Sequence, residues 1–427
     1  MKYIYMDNYR GFTDTLVPVK DVSFLVGENS TGKSSFLSLC YLFSEPEFWF
    51  NPREAFNNLV NMGSFSDLVS ARSKDSSYFR VGIVRNRKDN DENDFYAMEF
   101  GANEGVPELK RFSCKRDDKV FNVIFDRSRT RFKEQKAEDV VASNELPVKA
   151  KDIIKSLFRE TTGFKLLPKG LPPYPPIPIL LSIIEAINRE DKEVRPSFMP
   201  AFTTVDDLVW IAPIRTNPQR IYDGLRKSFT PEGEHTPFLL RRSLKTQSKK
   251  SRFVEKLLAF GESSGLFKSI STHQFGRSPQ APFEIMIQFS DADLNISNVG
   301  YGVSQVLPLI VEILASSKPN KFAIQQPEVH LHPRAQAALG DLFFELVEER
   351  EQQFLIETHS EYLIDRFRFA MSKEKNQTEA NLIFFERREN GNEIHVVNIQ
   401  NNGKYERELP DGFLDFFIKE DLSMLEV

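Results

Sequence analysis

The chain has 427 residues, 40% hydrophobic and 27% charged, a size that fits two lobes or one large domain carrying an insertion. Its net charge of -5 excludes a uniformly basic nucleic-acid coat, and Cys40 and Cys114 alone exclude a disulfide scaffold or a four-thiolate zinc site. The longest apolar runs, Leu307 to Ala315 and Ile179 to Ile187, each contain a Glu and fall short of the roughly 18 to 20 residues a membrane helix needs; with no secretory leader visible, the expectation is a cytoplasmic chain without a membrane partner.

Tyr3 to Met6 and Val22 to Val26 read as strands separated by the polar turn Asn8 to Asp14. The second strand runs into Gly27 and a helical stretch, Ser34 to Phe43, giving strand, glycine-rich loop and helix. From Tyr78 to Phe125, β-rich runs alternate with charged turns and predict an antiparallel meander. Residues 127–165 are charged and predicted helical. The stretch 168–178 holds six prolines and reads as a stiff linker, and Ile179 to Ile187 restarts a helix. After Ala281 regularity returns: strand FEIMIQF, a helix from Val303, strand Lys321 to Ile324, a helix from Pro333, strand Phe354 to Glu357, then a helix and two strands. Strands alternating with helices imply a largely parallel sheet with crossovers. The expected class is α/β with a mixed or parallel sheet: a lobe over 1–126 with the antiparallel part, a mainly helical insertion over 127–280, and a second lobe over 281–427.

Gly27-Glu28-Asn29-Ser30-Thr31-Gly32-Lys33-Ser34 satisfies G-x-x-x-x-G-K-S between a strand and a helix, which is where its chemistry requires it. Loop amides and the helix N-terminus face the β-phosphate, Lys33 reaches the β and γ oxygens, and the Ser34 hydroxyl ligates Mg2+, with Ser35 following. An incidental lysine in a glycine turn is the bland alternative, and the strand–loop–helix context disfavours it. Two further apolar strands end in polar clusters: Gln325-Gln326-Pro327-Glu328-Val329-His330-Leu331-His332-Pro333 and Glu357-Thr358-His359-Ser360. Between them and the first loop lies a glycine turn opening a helix, Gly300-Tyr301-Gly302-Val303-Ser304-Gln305, whose free amides suit an anion.

Together these motifs resemble the ABC-type ATPase heads of the SMC and OLD-like (AAA, RecF-like) superfamily. IYMDNYRGF is similar to the family's opening strand, VGENSTGKSS to Walker A, VGYGVSQVLPLI to the signature, QQPEVHLHP to Walker B and ETHS to the switch histidine. The resemblance covers roughly 1–125 and 281–427, with a loose match in between around IAPIRTNPQRIY. It implies an ATP- and Mg2+-dependent ATPase, with Arg10 toward the phosphates. Gly300, Gly302 and Ser304 are implied to complete the site of a partner head in a homodimer or higher homo-oligomer. Glu328, His359 and Gln326 are the implied catalytic groups, and Ser34 and Gln325 the metal positions. Two departures stand out. Gly300 falls where the signature serine is usual, and amides occupy 325 and 326 where carboxylates are usual, so slow turnover is expected, with Gln325→Glu accelerating it.

The ending NNGKYERELPDGFLDFF is similar to OLD-like ATPases without a nuclease domain. Resemblance to Septu- or PARIS-type ATPases implies anti-phage defence, with a separate effector nuclease or toxin as partner. A RecF-like repair ATPase and a non-hydrolysing nucleotide-dependent scaffold are the alternatives. Residues 215–256 hold eleven Lys or Arg against four Asp or Glu, a candidate DNA or RNA surface or simply a solvated face. His330, His332 and His359 as a zinc triad, and Asp291 with Asp293 as a nuclease pair, are the weaker readings of those residues.

Overall fold

A computed structural model describes residues 2–58, 60–86, 93–116, 118–126, 129–139, 148–168, 176–188, 208–224, 228–246, 251–278, 280–289, 292–316, 320–350, 352–389, 391–410 and 412–413. Most of the proline run, Asp291, Lys249, Lys250 and the last part of the terminal motif lie outside them.

The chain opens with β1 (Lys2–Asp7), β2 (Thr15–Val19) and β3 (Val22–Gly27), and continues through the phosphate-loop sequence into α1 (Lys33–Ser44). Short helices α2 (Pro46–Phe50), α3 (Pro52–Asn58) and α4 (Phe65–Leu68) precede a meander of β4 (Tyr78–Asn86), β5 (Asn93–Asn103), β6 (Val106–Arg116), β7 (Lys119–Phe125) and β8 (Thr130–Lys136). Next come α5 (Ala150–Arg159), β9 (Lys165–Leu166), α6 (Ile177–Asn188), β10 (Leu208–Ile211), α7 (Thr236–Thr246), α8 (Arg252–Ser264), β11 (Ser269–Gln274), β12 (Phe283–Gln288) and β13 (Asp293–Asn295). The chain finishes with α9 (Tyr301–Ala315), β14 (Lys321–Gln325), α10 (Pro333–Arg350), β15 (Gln353–Glu357), α11 (Glu361–Lys373), β16 (Ala380–Arg388) and β17 (Gly391–Ile399). Two compact units result: residues 1–20, 28–207 and 385–396 in one, residues 21–27, 208–384 and 397–427 in the other.

The first unit is built on an eight-stranded sheet in the order β2-β1-β4-β5-β6-β7-β8-β9, with antiparallel neighbours throughout. The expected meander is present and extends further than its composition indicated. Residues 130–136, expected in a helix, instead pair as β8 along the whole of β7. The reason is visible in TRFKEQK, where Thr130 and Phe132 alternate with charged residues: burial runs buried, intermediate, buried, so a period of two outweighs the charge content. Much of the phenylalanine is spent here. Phe56 meets Phe79 and Phe100 edge-on at 5.8 and 5.1 Å, and Phe79 stacks on Phe100 at 5.1 Å, all fully buried.

A second sheet has six strands in the order β10-β14-β15-β3-β16-β17, of which β10, β14, β15 and β3, all in the second unit, run parallel. Its central strands read as near-continuous apolar runs because both faces are covered; every residue of β3 is buried. Register aligns Gln325 with Glu357 and Glu357 with Leu25, so the C-terminal ends of three parallel strands share one edge. Ligands of open α/β sheets gather at that edge. Helices α10 and α11 pack closely because residue 340 is glycine: a Cβ there would come within 2.4 Å of the Leu363 carbonyl oxygen.

Candidate functional site

The phosphate loop follows β3 without a break. Thr31 donates its hydroxyl to the Glu28 carbonyl at 2.8 Å, and Lys33 Nζ reaches the same oxygen at 2.7 Å, which folds the loop into a curl. Gly32 caps α1 with φ +100°, and a Cβ at that position would lie 2.4 Å from the Phe12 ring, so glycine is required on both counts. No acidic side chain occupies the first turn of α1, leaving its positive end to an anion. Two arginines brace the loop. Arg10 donates to Ser35 Oγ at 2.8 Å and to the Met62 carbonyl at 3.0 Å, while Arg387 donates to the Ser30 carbonyl at 3.0 Å. Arg10 therefore lies beside the start of α1, next to the loop. Arg387, on a charged strand with no motif around it, was not foreseeable. Ser34 is exposed, Lys33 buried.

The β14 edge of the second unit holds the other expected groups. Gln326 leaves the strand with φ +44° and His330 follows at φ +64°, a backbone strain of the kind that concentrates at functional turns. The Gln326 amide donates to the Glu357 carbonyl at 2.7 Å and its side chain is half-buried. Glu328, 8% exposed, accepts the His359 amide N–H at 2.7 Å on one carboxylate oxygen. Burial pushes its pKa up, against the pull of its hydrogen bonds and of the Arg215 charge. Thr358 and Ser360, which flank His359 in sequence, are buried. Ser360 caps α11 by accepting from the Leu363 amide at 3.1 Å and donates to Gln336 Oε1 at 2.6 Å, so the ETHS turn is rigidly held.

Gln325 differs from its expected role. Its Oε1 accepts from Trp210 Nε1 at 3.0 Å, and its Nε2 donates to Glu357 Oε2 at 2.8 Å. One lone pair of its oxygen is taken by the indole, and the amide bridges two neighbouring strands. The buried carboxylate at this register position is Glu357, visible in the sequence as the first letter of ETHS but not singled out there. Arg215 was missed as well. It lies in IAPIRTNPQRIY, 2% exposed, with Nη2 at 3.4 Å from the Gln325 carbonyl oxygen.

In the signature turn, Gly300 caps α9 in an extended conformation, and a Cβ built on it meets nothing within 4 Å. A Cβ on Gly302 would approach the His330 carbonyl oxygen to 3.1 Å. Tyr301 is 61% exposed and lies 5.6 Å from the His330 ring. Ser304 is buried and donates to the Tyr301 carbonyl at 3.0 Å, so its hydroxyl is engaged by its own helix. The three motif histidines form no metal-ligand cluster among the described residues. One that does, Glu386, Glu393 and His395, already has Arg388 paired to both carboxylates.

Part of the basic stretch is engaged within the fold where it is described. Arg252 and Lys256 pair with Glu349, Lys256 also with Glu345, and Arg241 lies 4.2 Å over the Phe283 ring.

Residues 1–364 match the family described as AAA ATPase domain. No curated protein matches the chain. Solved structures similar to it include an SMC head bound to the C-winged helix domain of ScpA (TM-score 0.45, 15% identity, covering 93% of this chain and 97% of that one). Others are the SMC head domain from Thermotoga maritima (0.40, 12%, 92% and 97%) and, derived from Pyrococcus furiosus, an Smc head domain with an extended coiled coil bound to the C-terminal domain of ScpA (0.40, 13%, 100% and 99%).

Proposed function

Because the chain belongs to the AAA ATPase domain family and is an ATPase, we propose that it binds MgATP on the loop Gly27–Ser34, hydrolyses it with Glu328, and dimerises around the nucleotide. The observation that carries this reading is the Glu328 carboxylate. It is buried at the C-terminal edge of the parallel sheet, fixed by the His359 amide, and its pKa is raised by burial. Phosphoryl transfer to water needs little covalent help from the protein; it needs the γ-phosphate held, charge offset and one water oriented in line. Lys33 and the amides of α1 serve the first need. Glu328 serves the last, accepting the water's proton or a hydrogen bond from it.

Mg2+ neutralises phosphate charge when bound. Toward a hard cation the loop itself offers the exposed hydroxyl of Ser34. At the proposed dimer contact, the backbone amides of Gly300 and Gly302 take the part of a signature serine, since the Ser304 hydroxyl is donated to its own helix.

The dimer is read as regulator of a separate effector, a nuclease or toxin, in bacterial anti-phage defence. Support for that comes from the likeness of QQPEVHLHP, ETHS and the terminal motif to such ATPase subunits. Co-purification of a partner with the tagged chain, gained or lost with ATP, tests it. The ATP site itself is tested by calorimetry on Lys33→Ala. Loss of MgATP binding is expected, because the loop loses its cation, and unchanged affinity would remove the assignment.

A further inference from the structure

The second unit holds a cavity of about 50 Å3 between residues 216–223, residues 233–240, β12 and α9. Phe238, Leu240, Ile285 and Leu307, all buried, give it an apolar wall. Its charged lining has one sign. Asp223 and Glu234 are there, and no lysine, arginine or histidine is. Asp223 Oδ1 accepts the neighbouring Gly224 amide at 2.7 Å, and its carboxylate pairs with no cation among the described residues. Thr236, 2% exposed, lines the cavity too, and its Oγ1 has no hydrogen-bond partner among the described residues. An idle buried hydroxyl costs stability, and valine would fill the same volume without that cost. The missing side chain of Gly233 leaves open the space beside this hydroxyl: a Cβ built there would stand 3.1 Å from Thr236 Oγ1 and 2.8 Å from the Pro308 side chain. From α9, Ser304 and Pro308 complete the wall, and because proline has no N–H, the Ser304 carbonyl lacks its usual helical donor. The segment is held in place. The Thr230 amide donates to His235 Nδ1 at 3.2 Å, and His235 Nε2 lies 2.7 Å from Glu312 Oε2 on α9.

We propose that this cavity is a binding site for an ammonium group on a short aliphatic stem, carried by a small primary amine or by a lysine side chain. An ammonium is a donor-only group with three N–H bonds, the complement of two carboxylates and an idle hydroxyl. Its stem lies along Phe238, Ile285 and Leu307 while the head meets Thr236, Asp223 and Glu234. On the measure by which one water needs about 10–15 Å3, the space holds about three to five groups of that size, which suits four carbons and a nitrogen. Phosphates and other anions carry the wrong sign for this lining, so its ligand is of a different class from that of the Gly27–Ser34 loop. An occupied cavity rests against α9, the helix that opens at the signature turn.

The test is ligand-observed NMR on the full-length chain with n-butylamine, n-butanol and butyrate, which share a stem and differ in the head group. We expect n-butylamine to bind at about millimolar affinity, within reach of so few heavy atoms, n-butanol to bind about tenfold more weakly, and butyrate not to bind. Thr236→Val should melt at or above the wild-type temperature, since it removes an idle hydroxyl, and should weaken n-butylamine binding about tenfold, the share of one hydrogen bond to a charged group. Asp223→Asn, at an exposed position, should weaken it about threefold. Asp223→Lys, which puts a tethered ammonium at the mouth, should abolish it. Acetyl-Gly-Lys-Gly-amide separates the two sources of the group: binding at least as tight as n-butylamine assigns the site to a protein lysine, and binding of n-butylamine alone assigns it to a free amine. Absence of n-butylamine binding overturns the inference. So does n-butanol or butyrate binding as tightly as the amine, and so does amine binding that none of the variants alters, which would put the amine elsewhere on the surface. If Thr236→Val does not fold, the two Asp223 variants decide, and wild-type affinity in both overturns the inference.

Discussion

Gln325 shows why a residue cannot be judged by its motif position alone. In the sequence it stands where a metal-binding carboxylate is usual, and an acid there promises faster hydrolysis. In the structure its amide is a bridge, with an acceptor side for Trp210 and a donor side for Glu357, and only an amide offers both. Gln325→Glu would set one carboxylate against another at hydrogen-bond distance. We expect a stability loss of about 1–3 kcal/mol without divalent cation, since a charged acceptor loses its donor, recovered when Mg2+ is added. Thermal melts in EDTA and in Mg2+ read this directly, and equal melting temperatures in EDTA would show that the bridge carries no weight. The phosphate loop was legible because its chemistry is contiguous: eight residues, one turn and one lysine. Arg215 and Glu357 were not, because what places them at this edge is a pairing across 110 and 32 residues of chain, which no local pattern records.

Among the elements, β3 with α1, β14 with α10 and β15 with α11 were readable as strand–turn–helix units, since apolar runs ending in Gly, Pro or Ser mark both boundaries. The strand β8 was not, because charged residues on its outer face hid an alternation of two. The tight spot between α10 and α11 depends on Gly340. Ala at 340 drives a methyl against the Leu363 carbonyl and the Phe367 amide, 2.4 and 2.9 Å from the built Cβ. Gly340→Ala should cost about 1–3 kcal/mol, as overpacking generally does. Because α11 begins at Ser360 of the ETHS turn, the loss should come with lowered turnover. A denaturant midpoint equal to wild type would mean that the helices separate without penalty.

For the whole molecule, the expected ATP-driven dimer has a cleaner probe than the signature's second glycine. Substituting Gly302 crowds the His330 carbonyl, whereas Gly300 has open space and a φ of -62° that any residue adopts. Gly300→Glu should therefore leave the fold and MgATP binding intact and abolish the mass increase that light scattering detects when wild type receives MgATP. Persistence of the increase would place the contact elsewhere. The stretch 215–256 illustrates a limit of counting charges: its surplus is real in the sequence, yet Arg252, Lys256 and Arg241 are committed to glutamates and a ring within the fold, and Arg215 is buried.

On the proposed function, ATP bound on the Gly27–Ser34 loop is hydrolysed through Glu328. Single-turnover release of phosphate from pre-bound MgATP, wild type against Glu328→Gln, tests it most directly because binding is already complete in both. Glu328→Gln is expected to retain the nucleotide and to release phosphate slower by about a hundredfold or more, within the general range for a positioned acid-base group. Equal rates from the two proteins would contradict it.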